Sequence, residues 1–320
     1  MVETWDPAYG IAAAETALEP ATGPVDAAVE RPLDQWAPIT PDPSTAPAVI
    51  AFIDGVRRID SRVWIETDDG ARPAVCATVA AGAVVCRTGS ATVDAVHVRR
   101  GLFTAVGGAE PIELIGARRG AAPFDVYAVV PARADDDAAL YLSVHSAMAD
   151  LESEVSDELD GLDLVVFDGP LRGRTDARGV GYIKTQHRQY LEPEQFATVV
   201  ALGPGQRTPL FTVEGRAPLW SWYLRLPGPA GHSLAGVVRL ELPRLGDIDS
   251  AAARADEITA ALPRFASEPH RDPRAPQNLH PIAGLERRLH HRLGDVYVLE
   301  RALRRAALAQ ARAGHQPLPV

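Results

Sequence analysis

Apolar positions in this chain change period several times, and each change marks an element. Residues 48–55, AVIAFIDG, and 162–169, LDLVVFDG, are unbroken apolar runs closed by Asp and Gly. Continuous apolarity is the pattern of a strand covered on both faces, as in parallel or mixed sheets. Both runs are expected to stop at their Asp-Gly pair. VRRIDSRVWIET and PAVCATVAAGAVVCRTG follow the first run, with polar turns at 67–72 and around Gly89-Ser90, which predicts a meander of antiparallel neighbours. A further strand is expected at 123–131. Over 135–160 the period lengthens. Leu140, Val144, Met148, Leu151, Val155 and Leu159 recur at helical spacing behind an acidic first turn, and Gly161 closes the helix.

Residues 171–182, LRGRTDARGVGY, read as a polar, glycine-bearing loop opening onto IKTQHRQYLEPEQF. Strands are expected at 208–213, 218–227 and 233–243, the last two forming a hairpin around GPAGH. SAAARADEITAALPRF predicts a helix behind a Ser or Asp cap, and two closing helices follow, LHPIAGLERRLHHRLG and VYVLERALRRAALAQARAG. Residues 1–47, rich in Ala, Pro and acids, read as an N-terminal arm with a short helix near 25–31 and a linker-like close, PITPDPSTAP. Residues 48–320 then form one α/β domain: a mixed sheet flanked by helices, with the hairpin as an insertion.

Composition narrows the class. With 46% hydrophobic and 23% charged residues, the chain has the make-up of a soluble globular protein. No run approaches the ~18 apolar residues of a membrane helix, and MVETWDPAYG lacks the basic start and apolar core of a secretion signal. Cys76 and Cys86 are the only cysteines. At an even spacing they read as small core residues, which fits a reducing cytoplasm better than a disulfide framework.

The chemistry starts from the two aspartates. A carboxylate at the end of a buried strand is costly unless something compensates it. If the two strands are neighbours, Asp54 and Asp168 lie side by side, where like charges repel unless they share a proton or a metal. Either aspartate can instead cap the turn that follows it. On the intervening helix Glu152 sits at the edge of the buried stripe, while Glu154 points more nearly to solvent. Glu152 is therefore the candidate third carboxylate, with Glu154 in reserve. Lys184, the only lysine, is a candidate for holding a phosphate or a carboxylate. The net charge of −10 argues against a general polyanion binder. Arginines nevertheless cluster at 99–100, 118–119, 172–178, 271–274 and 287–305, and Arg57, Arg172, Arg178 and Lys184 are the candidate nucleic-acid contacts. The chain carries no Walker loop, dinucleotide fingerprint, paired CxxC, HExxH or Gly-x-Ser-x-Gly elbow.

The order of parts resembles the NurA nucleases over about residues 48–295: FIDGVRR, a meander, an acidic helix, VVFDGPL, then GYIKTQ and a C-terminal motif. The resemblance, to a bacterial branch with an added arm, implies an RNase H-like fold and manganese-dependent DNA cleavage. It also implies a homodimer and partnership with a HerA-type hexameric translocase in DNA end processing. By motif, Asp54 matches the first-strand aspartate, Glu152 the helical glutamate and Asp168 the aspartate of the second Asp-Gly strand. Laying Pro281-Ile282 on the family's Pro-Leu pair puts Asn278 where the family has tyrosine and Glu286 where it has histidine. Both depart from the pattern.

The implied activity is a nuclease of 5′–3′ exonuclease or endonuclease type in double-strand break repair. Asp54, Glu152, Asp168 and Glu286 would hold two manganese or magnesium ions ~3.5–4 Å apart. Lys184 and nearby arginines would counter phosphate charge. Two rivals stand beside it. One is a degenerate scaffold that binds the translocase without cleaving. The other is a small-molecule phosphatase, which lacks the second aspartate two residues on, because positions 56 and 170 are Val and Pro.

Overall fold

A computed structural model describes residues 19–20, 23–114, 126–185, 188–215, 217–229 and 231–314. In chain order its strands are β1 (Glu19–Pro20), β2 (Val25–Asp26), β3 (Ile50–Thr67), β4 (Gly70–Arg87), β5 (Ser90–Thr104), β6 (Ile112–Glu113) and β7 (Val126–Pro131). Helix α1 (Asp137–Asp157) leads into β8 (Leu164–Asp168), β9 (Gly179–Ile183) and β10 (Arg188–Gln189). Helix α2 (Pro193–Ala201) precedes β11 (Phe211–Val213), β12 (Leu219–Arg225) and β13 (Val237–Pro243), and α3 (Ile248–Ala261), α4 (His280–Arg292) and α5 (Val296–Gly314) close the chain. The residues divide into two compact units. The first comprises Met1–Ile53, Val84–Val93 and Leu159–Gly284, the second Asp54–Ala83, Asp94–Glu158 and Leu285–Val320.

In the first unit the strand order is β2-β11-β12-β13-β9-β8-β3. Ile50–Ile53 of β3 run parallel to Leu164–Phe167 of β8, and β8 runs parallel to β9. From β9 outward every pair is antiparallel, so the sheet is mixed, with the expected β12–β13 hairpin. Burial on both faces explains the unbroken apolar runs: Ile50, Phe52, Leu164 and Val166 are fully enclosed. Helix α3, N-capped by Asp247 as expected, covers this sheet. Trp222 on β12 donates to Thr259 Oγ1 on α3 at 3.1 Å, and Phe52 meets Phe265 edge to face.

The second unit takes the order β3-β4-β5-β7-β6. Two-residue connections at 68–69 and 88–89 make β3, β4 and β5 a meander, and β7 joins β5 in parallel. Only residues 126–131 of the strand expected at 123–131 are described. Helix α1 starts where Asp136 accepts the Ala139 N–H. Leu285 and Leu289 of α4 lie against Gly82, and Leu299 and Leu303 of α5 join Ala74, Cys76, Leu102 and Tyr127 in one core. Both cysteines lie on β4 as buried free thiols. Burial, and then the charge of Asp60, pushes the Cys76 thiol up to about 12.

Three expectations need correction. The first apolar run does not stop at Asp54-Gly55, because β3 continues to Thr67. The second run does stop: Gly169 adopts φ 115°, a left-handed turn that ends β8. Residues 179–182, expected at the end of a loop, belong to β9 in the middle of the first sheet. Two glycines hid it, since glycine is depleted in strands except where a neighbour comes close. A Cβ on Gly181 would lie 3.0 Å from the Leu171 nitrogen and 3.2 Å from Glu241 Oε2. No helix forms near 25–31: Val25–Asp26 make the short strand β2 on β11, and 27–31 are irregular. Helix α2 had no expectation at all.

The segment before residue 48 is tied into the first unit by a buried cation. Arg207, 1% exposed, places its guanidinium on both Glu30 oxygens at 2.8 and 2.9 Å and on Asp256 at 2.6 Å. Glu30→Gln removes the charge from this bidentate pair and is expected to cost about 1.5–3 kcal/mol, the scale of a lost charge-assisted hydrogen bond. Urea unfolding compared with wild type measures it, and an unchanged midpoint would contradict the tie.

Candidate active site

Asp54 and Gly55 lie inside β3, and helix α1 brings Met148 and Glu152 up to Gly55. Asp54, 7% exposed, accepts the Gly55 N–H on Oδ1 at 2.8 Å. A methyl on Gly55 would sit 2.5 Å from Glu152 Oε1 and 2.8 Å from Met148 Cγ. Glycine is thus required for space, and its absent side chain lets the Glu152 carboxylate reach the residue beside Asp54. Glu152 is also 7% exposed. Glu154, two residues on, faces outward, where Arg99 grips both of its oxygens. The Arg99 hydrogen bond, with its charge and that of His97, holds the Glu154 carboxyl below its usual value against a small burial effect.

Asp168 lies in the first unit at the end of β8, opposite Tyr182 of β9. Lys184, just past β9, donates to Asp168 Oδ2 at 2.7 Å and to Asn278 Oδ1 at 2.7 Å. Asn278 is fully buried and donates in turn to Asp272 Oδ2 at 2.7 Å. Burial raises the Asp272 pKa, but the Arg274 N–H, the Asn278 amide and the Arg274 charge outweigh it and leave the carboxyl lowered. Tyr182 donates to the Gln277 carbonyl at 2.6 Å. Burial, and then the Asp168 charge, holds its hydroxyl well above the ordinary value. Lys184 is therefore no solvated cation: its side chain is 8% exposed, pinned between a carboxylate and a buried amide.

This group opens on a cleft of about 580 Å³ lined also by Gly169, Thr185, Arg188, Tyr190, Arg239 and Glu241. Arg239 and Glu241, two apart on β13 and therefore on one face, pair at 2.8 Å. Arg239 also donates to Ser221 Oγ at 3.1 Å and lies 4.3 Å above the Tyr190 ring. Glu241 accepts the Leu171 N–H at 3.1 Å. Two charges in the apolar run VVRLELP were the available signal for this pair. Asp272 and the role of Asn278 had none, because Lys184, which ties them to the cleft, lies far from Asn278 in sequence.

The other expected residues are dispersed. Arg57 is exposed on β3. Arg172 is exposed at φ 53°, in the turn after β8. Arg178 holds Asp176 at 2.8 Å and the Leu159 carbonyl at 3.2 Å. Glu286 is half-buried on α4, and Arg118-Arg119 lie outside the described residues. Among the described residues no three His, Cys, Asp or Glu side chains converge as a ready cation cage. The donor chemistry nonetheless suits a hard ion. Magnesium-like ions keep several waters and take one or two protein carboxylates plus substrate phosphate, and Asp54 and Glu152 offer hard oxygens from a largely buried position.

No protein-family model and no curated protein matches the chain. Among solved structures it is similar to the NurA nuclease from Sulfolobus solfataricus, at 11% identity over 90% of this chain and 91% of that one, with a TM-score of 0.47. It is also similar to Endonuclease V from Bacillus subtilis (14% identity, 79% and 83% covered, TM-score 0.34). The catalytic domain of human Endonuclease V gives 12% identity, 79% and 87% covered, and a TM-score of 0.35.

The two Asp-Gly glycines are expected to fail differently on substitution. Gly55→Ala crowds Glu152 and Met148 and should cost about 1–3 kcal/mol by overpacking. Gly169→Ala meets no neighbour but forces alanine to φ 115°, a strain of about 1–3 kcal/mol. Further shortening the Glu152 side chain to Ala should relieve the first variant and not the second, as read by thermal melting of the double mutants. Asp272 sets an acid limit. Its folded pKa lies below the unfolded value, so its stabilisation is complete above the ordinary carboxylate range and is lost as pH falls through the folded pKa. Asp272→Asn should flatten the acid limb of a stability–pH profile, and an unaltered limb would remove Asp272 from this role.

Proposed function

We propose that this chain is a divalent-metal-dependent nuclease acting on DNA. The observation that carries the reading is the parallel register of β3 and β8, in which Ile50 to Ile53 lie opposite Leu164 to Phe167. In both strands the next two residues are Asp and Gly. In this reading Asp54, Glu152 and Asp168 present hard oxygen donors for manganese or magnesium, and Glu286 is a fourth candidate from α4. When bound, the ions supply an activated water and stabilise the leaving 3′-oxygen. The chain's own residues do the rest. Gly55 keeps Glu152 at the strand, Lys184 neutralises Asp168, and Arg57, Arg172 and Arg178 are the proposed backbone contacts. The reading includes a fold of RNase H-like type, a homodimer, a HerA-type translocase as partner, cytoplasmic work in DNA end processing, and cleavage of 5′–3′ exonuclease or endonuclease type.

A second reading, a degenerate scaffold for the translocase, is favoured by one observation: the ammonium of Lys184 already occupies Asp168 Oδ2. Calorimetric titration with manganese separates the two, since a degenerate site takes up none at millimolar concentration. The direct experiment incubates end-labelled linear DNA with manganese. Wild type should shorten the DNA, and Asp54→Asn should be slower by about a hundredfold or more, the scale on which one preorganised electrostatic group acts. Cleavage by a folded Asp54→Asn at the wild-type rate overturns the reading.

A further inference from the structure

The arginine cluster at 287–305 has no part in the proposed site. Helices α4 and α5 meet at a fixed corner. Arg58, paired with buried Asp60 at 2.8 Å, donates to the Leu293 and Gly294 carbonyls at 3.0 and 2.7 Å. Asp295 accepts the Tyr297 and Val298 N–H groups at the start of α5. Leu285 and Leu289 turn one face of α4 inward, and Leu299, Leu303 and Ala306 do the same for α5. The other faces carry exposed Arg287, Arg288 and Arg292 on α4, and exposed Tyr297, Arg301 and Arg305 on α5. From Leu285 to Gly314 seven arginines stand against three acids, in a chain whose net charge is −10.

An exposed arginine that serves only its own helix finds an acid three or four residues away, as Arg304 does with Glu300 and Arg254 with Glu257. Arg287, Arg288, Arg292, Arg301 and Arg305 have no ion-pair partner among the described residues. Their spacing sets like charges together instead. Arg288 and Arg292 are four apart, as are Arg301 and Arg305, a pairing that weakens a helix. Repulsion kept on a fixed surface points to an anion supplied from outside, and the planar fork of arginine suits phosphate oxygens. Along α5, Tyr297, Arg301 and Arg305 follow at intervals of about 6 Å, four residues at a rise of ~1.5 Å each. Tyr297 is 73% exposed, an open ring in line with the charges. Aromatic rings in line with cations track an unpaired strand, bases on the rings and phosphates on the cations. We infer that the outer face of α5, with the arginines of α4, binds single-stranded DNA outside the residues proposed for cleavage. The choice of DNA over an acidic protein rests on the nuclease reading. Contacts of this kind hold a strand without reading its sequence.

The test uses the full chain without added metal and follows the fluorescence anisotropy of a labelled oligodeoxythymidylate over a series of salt concentrations. The single strand should bind more tightly than a duplex of the same length, and more tightly than polyglutamate of the same charge. Arg301→Gln combined with Arg305→Gln should reduce the slope of log affinity against log salt by about 0.7 per arginine. Arg87→Gln, at an exposed arginine ending β4, should leave that slope unchanged. Tyr297→Ala should weaken the single strand about tenfold and the duplex not at all. All these side chains are exposed, so the variants should melt as wild type does. If the α5 double variant melts early, Arg287→Gln with Arg288→Gln carries the slope measurement. An unchanged slope in the double variant, a duplex bound more tightly than the strand, or polyglutamate bound as tightly overturns the inference. The two readings fail separately. A protein that cuts DNA with manganese but keeps its slope in the double variant loses only this surface, and one that holds the strand on α5 but leaves DNA intact loses only the nuclease reading.

Discussion

Four consecutive backbone pairs, Ile50 to Ile53 against Leu164 to Phe167, set the frame from which the candidate chemistry follows. Parallel pairing with both faces covered demands continuous apolar side chains, and it leaves the chain free to introduce charge only where the run ends. A one-residue slip would exchange the faces of every side chain in the run. The register therefore fixes where both Asp-Gly pairs emerge, although the two strands then behave differently: one turns at Gly169 and the other runs on for twelve residues after Gly55.

That difference shows what was legible. The runs, the meander, α1 with its stripe and the β12–β13 hairpin are local patterns, written at a period of two or 3.6, and they could be read. Gly55 was misread as a stop because sequence cannot distinguish a glycine chosen for its backbone angle from one chosen for its lack of a side chain. The side chain that excludes a Cβ at Gly55 is Glu152, on a helix about a hundred residues further along the chain. Strand β9 was missed for the same reason, its glycines answering to Leu171 and Glu241. Helix α2 spans only nine residues, too few for its period to stand out. Of the site, the aspartates and Lys184 could be singled out because each breaks or ends an apolar run. The chain from Lys184 through Asn278 to Asp272 could not, because only the fold brings the segment holding Asp272 and Asn278 to Lys184.

Asn278 is the clearest case of a departure that turns out to have its own partners. Against the resembled motif it is merely not tyrosine. In the structure its amide is engaged at both ends, accepting from Lys184 and donating to Asp272, and a buried amide with partners on both sides is a stable arrangement. Arg207 follows the same logic elsewhere, as a buried cation kept by two carboxylates from distant segments. In each case burial is tolerated because the polar group is paired.

The Lys184 clamp also determines how the molecule answers to reagents. The chain has one lysine, and its amine is engaged on two sides and nearly enclosed. Side-chain amine chemistry therefore has a single address, and that address is shut in the resting state. Acylating probes, which on most proteins report a blurred average over many side chains, would here report one side-chain event: the separation of Lys184 from Asp168. The rate of that modification is a clock for the opening of a single cleft.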